Sequence, residues 1–378
     1  TYAHVDSSEA LQAFALTASA YCLVRARRDA RSEAGLFAAG ALLALAVAAK
    51  VTNLVLVPWF VLYVLVADTG RIRSWKNLAI LSAPLAVGCV SLGLYNFWRF
   101  GAWLDTGYDL SRERFDRPLG IGALSLLASP QFGLLVFFPA ASLGVFGLRE
   151  AFTKFRCEAL LAVAVVVTLL LVHARWWAFW GMNWGPRFLV PAIPLLSLFL
   201  LPVAADGRRL ARAAVLAAAL IGAAVQSLSV AVSFFPQVWV VHEELGLGAR
   251  EGLVRDPRLA PLRIAAWHVG LAAERAHDPG KLGERIANPP WRSTRPWRDP
   301  DRALERLPEF VGLDLWVAPA SWRRDCVAIW PFNERAPKPT SARLALVAVI
   351  GMLGGGAGLR RSLRAARGRG SEPEQAPQ

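Results

Sequence analysis

Lys50 is the first residue whose chemistry stands out, because it is the only charge in the apolar stretch 35–67. An ammonium group is costly in such a setting and usually has a purpose. It sits in Ala-Ala-Lys-Val-Thr-Asn, and two readings stand side by side. Its stem lets the charge snorkel to lipid headgroups, or Lys50 holds an anionic phosphate with help from Thr52. Trp176, Trp177, Trp180 and Trp184 fall within nine residues, just ahead of Arg187. Flat aromatic faces suit the C–H faces of sugars or isoprenoid tails, with Arg187 supplying charge beside them; a belt at the membrane interface is the competing reading. A third stretch combines Asn96, Arg99, Trp98, Trp103, Asp105 and Tyr108. Asn96 and Arg99 would suit sugar hydroxyls or a phosphate, whereas the aromatics also fit an interface belt.

Carboxylates for general-base work are few in the stretches 1–9 and 95–132, namely Asp6, Glu9, Asp105, Asp109, Glu113 and Asp116. Asp6 and Glu9 are the most pointed, since they open an apolar run and a carboxylate at a membrane boundary suits such chemistry. Helix capping by Asp6 or Ser7 is the rival reading. His4, His173, His242, His268 and His277 show no metal-ligand spacing, and Cys22, Cys89, Cys157 and Cys326 form no CxxC pair. No metal, cofactor or disulfide framework is expected.

The elements that must position these groups are apolar helices. Hydrophobic residues make up 55% of the 378-residue chain, and they are concentrated in runs with charges crowded between them. Hydrocarbon cannot solvate bare backbone, so such runs must be helical. Candidate spans fall near 11–24, 35–49, 51–67, 78–94, 133–148, 159–172, 188–203, 213–234 and 344–358. Basic clusters lie at Arg25, Arg27, Arg28 and Arg31; at Arg71, Arg73 and Lys76; at Arg149, Lys154 and Arg156; at Arg208, Arg209 and Arg212; and from Arg360 to Arg369. If 35–67 is a hairpin of two spans turning at Lys50, every cluster falls on the cytoplasmic side; if it is one span, the first cluster falls opposite the rest.

The hairpin reading gives an all-α polytopic membrane protein with about nine transmembrane helices. It comprises a helical membrane domain over 1–235, a small extracytoplasmic domain over 236–341, a last span over 342–359, and a basic, disordered cytoplasmic tail over 360–378. The stretches 1–9, 95–132 and 173–187 then share the outer face with Lys50. The net charge of +14 reflects helix orientation, and no nucleic-acid motif accompanies it. The chain opens at Thr1 without a visible signal peptide, which reads as a fragment or a processed chain.

Several pieces form an ordered set: Tyr2-Ala3-His4 with Ser8-Glu9; Gly40 through Lys50-Val51-Thr52; Asn96 with Arg99-Phe100-Gly101 and Gly107-Tyr108; Ser129-Pro130 with Gly133-Leu134; and Trp184-Gly185-Pro186-Arg187-Phe188 with Pro191. This set resembles bacterial membrane glycosyltransferases of the GT-C superfamily, the group of protein mannosyltransferase-like and aminoarabinose transferase-like enzymes. The likeness covers about 1–202, with weaker echoes at 256–262 and 313–316. It implies a multi-pass protein of a bacterial inner membrane. Such an enzyme transfers sugar from a polyprenyl-phosphate-linked donor to a lipid, glycan or protein acceptor on the outer face. It implies Lys50, Arg99 and Arg187 as donor-phosphate ligands, with Asn96, Tyr108 and Trp184 lining the sugar pocket. The family's usual acidic residue lies in a first outer loop, which would precede Thr1. A flippase for lipid-linked glycans and a non-catalytic envelope scaffold are the rival functions. The first would need polar residues deep in the spans, where only Lys50 and Gln226 stand out.

Overall fold

The computed structural model describes residues 8–28, 32–66, 75–106, 114–176, 185–206, 208–231, 260–263 and 265–266. All of them lie in the compact unit Thr1–Leu304. The expected domain over 236–341, apart from six residues, and the expected last span and tail lie outside the described residues. Among the described residues the structure is helical, without a strand.

α1 (Glu9–Arg28) begins on an acid and ends on Arg25, Arg27 and Arg28, charges that complement its macrodipole. It packs along α2 (Ser32–Ala49), where Ser19 Oγ donates to the Ala39 carbonyl at 2.8 Å. Past Lys50 the chain forms a 3₁₀ turn, Val51–Leu56, and then α3 (Val57–Val66).

Contacts at the helix ends fix the direction of each. Near one end Arg27 Nη1 meets Glu158 Oε1 at 3.3 Å, and Tyr63 OH donates to the same oxygen at 3.4 Å. Near the other end Glu9 meets Lys50. The chain therefore reverses at Lys50, and α3 returns to the end where α1 finishes. Lys76 pairs with Glu33 at 2.6 Å, so α4 (Trp75–Phe100) starts beside the start of α2 and runs the same way.

Small residues let these two helices approach closely. A Cβ on Gly40 would run into the Leu81 carbonyl oxygen. Gly40→Leu is therefore expected to destabilise the protein by about 3 kcal/mol, the upper end for overpacking, since backbone cannot yield as a side chain can. Gly120→Leu, at a position with open space around it, is the control. Thermal unfolding of both in one detergent checks the difference.

α5 (Leu119–Ala128) is a ten-residue apolar helix, only about 15 Å long, within the stretch 95–132 expected as an outer loop. Its Gly122 lies against the Ala174 backbone, so it starts at the far end of α8. Ser129 Oγ accepts from the Phe132 amide at 3.0 Å, turning the chain into α6 (Leu134–Phe137) and then α7 (Ala140–Lys154). The expected span 133–148 is thus divided. Pro139 cannot donate to an α6 carbonyl, but suits the position just ahead of a new helix.

α8 (Arg156–Arg175) is continuous. The expected span 188–203 is not: it becomes a 3₁₀ turn, Arg187–Ala192, then α9 (Ile193–Ser197) and α10 (Leu200–Ala205). Pro191, Pro194 and Pro202 interrupt its backbone ladder. α11 (Arg209–Ala231) closes the described bundle.

The core joins Leu16 and Leu23 of α1, Leu36 and Leu43 of α2, Phe60 of α3, and Val165 and Leu169 of α8. α4, α8 and the Arg209–Leu228 part of α11 are long and apolar enough to cross a membrane. Very little of α4 and none of the α11 apolar window is buried. Val87, Val90, Leu216 and Leu220 point outward, an arrangement that suits hydrocarbon better than water.

Candidate functional site

Three distant stretches converge where α1 begins. Glu9 is 1% exposed, and its Oε1 accepts from Arg187 Nε at 2.7 Å. Lys50 Nζ lies 3.8 Å from the same oxygen, close enough to feel the charge but too far for a hydrogen bond. One carboxylate thus faces two cations, and the cluster carries net positive charge.

Arg187 is aimed by Gly185-Pro186. Gly185 has φ +67°, and a Cβ there would also press on the Phe137 ring, so glycine alone fits. Pro186, at φ −81° and ψ 63°, sits at the centre of an inverse γ-turn. The Arg187 amide closes that turn by donating to the Gly185 carbonyl at 2.9 Å. The next residue, Phe188, stacks on the His173 ring at 4.9 Å and 8° and meets Trp176 edge-on.

Lys50 lies in the turn between α2 and the 3₁₀ segment, outside both. Its Nζ sits 4.3 Å from the Phe188 ring centroid and 6.0 Å from that of Trp176, within cation–π range. Burial pushes its pKa down to about 8; Glu9 opposes the shift and Arg187 adds to it.

Behind the charges runs a polar ladder. Gln12 Nε2 donates to Ser8 Oγ at 2.8 Å, and Asn53 Nδ2 donates to both Gln12 Oε1 at 3.1 Å and the Ala46 carbonyl at 2.8 Å. These bonds tie the Lys50 turn to α1. Among the described residues, nothing hydrogen-bonds to the buried Glu9 Oε2, Thr52 Oγ1 and Asn53 Oδ1. Three such acceptors beside two cations leave unmet hydrogen-bonding capacity at one place.

Of the residues singled out from sequence, Glu9, Lys50 and Arg187 come together. Asn96 and Arg99 do not join them. Asn96 Nδ2 donates to the Trp103 carbonyl at 3.4 Å, closing the turn after α4, while Arg99 Nη1 donates to Tyr95 OH at 3.0 Å and lies 5.0 Å from the Phe100 ring. Asp6, Tyr108 and Trp184 lie outside the described residues. Sequence reasoning missed Gln12, gave Asn53 and Phe188 no role of their own, and weighed His173 only as a metal ligand. Gln12 and Asn53 carried a signal, each standing three residues after a charged residue already marked. Among the described residues no three His, Cys, Asp or Glu side chains group as metal ligands.

No protein-family model matches the chain, and no curated protein or solved structure matches it either.

Proposed function

We propose that the protein is a multi-pass glycosyltransferase of the GT-C type in a bacterial inner membrane. It moves a sugar from a polyprenyl-phosphate-linked donor to an acceptor at the outer face. The observation that carries this reading is the meeting of Lys50 and Arg187 on one sealed carboxylate, at the end of the bundle opposite the Arg27–Glu158 pair. The departing phosphate of a lipid-linked sugar gathers negative charge, and two preorganised cations stabilise it. Glu9 keeps both cations in place. In this reading the chain crosses about nine times, and its basic clusters orient it with the Lys50 end outside and the arginine-rich end in the cytoplasm.

Two measurements on the full chain test this. Sugar transfer from polyprenyl-phosphate donors in liposomes should be detectable; its absence with every donor counts against the enzyme. A membrane-impermeant maleimide should label Leu104→Cys, just past the α4 end, in intact cells and should spare Thr153→Cys. Cys22, Cys89, Cys157 and Cys326 are first replaced by serine. The reverse pattern would put the site on the cytoplasmic side and sink the proposal.

A further inference from the structure

We propose that His173 is the proton acceptor of this site, an inference that rests on the transferase reading. Its Nδ1 stands 2.8 Å from the Leu169 carbonyl oxygen. A carbonyl only accepts, so Nδ1 carries the hydrogen and the neutral ring presents its lone pair at Nε2. Nothing among the described residues hydrogen-bonds to Nε2, yet it is not one of the fully enclosed orphan atoms. His173 as a whole is 4% exposed.

The ring is also locked in place. Phe188 stacks parallel to it and Trp176 meets it edge-on at 6.2 Å. Phe188 in turn carries Lys50 over its ring and follows Arg187 directly. Among the described residues, Glu9 from α1 and Lys50 from the turn after α2 are the charges that act on the imidazole. Glu9 itself is occupied by Arg187 at 2.7 Å, which suits it to holding cations more than to taking protons. Sequence spacing gave His173 no role, because it was weighed only as a metal ligand.

In the reaction, an acceptor hydroxyl gives its proton to His173 Nε2 as its oxygen bonds to the anomeric carbon of the sugar. The bond from that carbon to the phosphate oxygen breaks, and its electron pair leaves with the phosphate, held by Lys50 and Arg187. The imidazolium then releases the proton to water. A base must be neutral to act, so turnover falls on the acid side as the ring protonates.

The test joins chemical modification with a pH profile, on the full chain in liposomes. Diethylpyrocarbonate, which attacks an unprotonated imidazole nitrogen, should modify His173 in the folded wild-type protein, as read by mass spectrometry. His173→Gln, which keeps a donor for the Leu169 carbonyl, should lower kcat about 10²- to 10⁴-fold. It should also flatten the acid limb while KM and the alkaline limb stay. An unmodified His173 in folded protein overturns the proposal whatever the variant does, including if the variant does not fold. Modification with an unchanged acid limb in His173→Gln overturns the base role and leaves the transferase. No wild-type turnover with any donor overturns both.

Discussion

Glu9→Leu is expected to cost about 3–5 kcal/mol of folding stability, the range for removing one partner of a buried ion pair. Glu9 Oε1 is the oxygen shared by Arg187 at 2.7 Å and Lys50 at 3.8 Å. Without it two cations remain near each other with no carboxylate between them. Arg187→Met should be destabilising for the converse reason, because it leaves a carboxylate that is 1% exposed with only Lys50, 3.8 Å away, to offset its charge. The double variant Glu9→Leu/Arg187→Met should then lose less than the sum of the two single changes. Such a shortfall marks direct coupling, and replacing a whole buried pair by apolar groups is often tolerated. Chemical unfolding of the four proteins in one detergent measures the cycle. Additive losses would mean that Arg187 and Glu9 act separately.

What the sequence disclosed about this site follows from what charge can report. Lys50 was conspicuous because nothing else in 35–67 is charged, and Arg187 because it ends a run of tryptophans. The reversal at Lys50, reached from basic clusters, agrees with the pairing of Tyr63 and Arg27 on Glu158. Charge assigns a residue to a face, however, and a face is a plane. Asn96 and Arg99 were grouped with Lys50 on that ground, yet the end of α4 makes its own contacts with Tyr95, Phe100 and Trp103. Depth was equally hard to read. Ten apolar residues in α5 fall below the length of a span, and Pro139 and the prolines after Arg187 divide runs that hydropathy joins. His173 shows the remaining limit: its lone pair matters because a carbonyl one helical turn back fixes the tautomer, and because Phe188, distant in sequence, stacks on the ring.

Lys50 should impose the alkaline limit on kcat/KM, which reports the unliganded protein. With its pKa held down to about 8 by burial, it loses the charge that holds phosphate as pH rises through about 8, well before an ordinary lysine would. Lys50→Ala should reduce kcat about 10²- to 10³-fold, as the loss of one preorganised oxyanion ligand does elsewhere. Lys50→Arg keeps a charge at every accessible pH and should abolish the alkaline limb, even if its bulkier head lowers the plateau. Unfolding at high pH is separable from this effect by sign. A lysine whose folded pKa lies below its unfolded value binds fewer protons folded than unfolded between the two. Its contribution to stability therefore rises as pH climbs from about 8 to the unfolded value. A kcat/KM that falls while thermal stability holds or rises across that window identifies loss of the Lys50 charge. A limb that survives in Lys50→Arg would assign the titration to another group and remove Lys50 from the phosphate site.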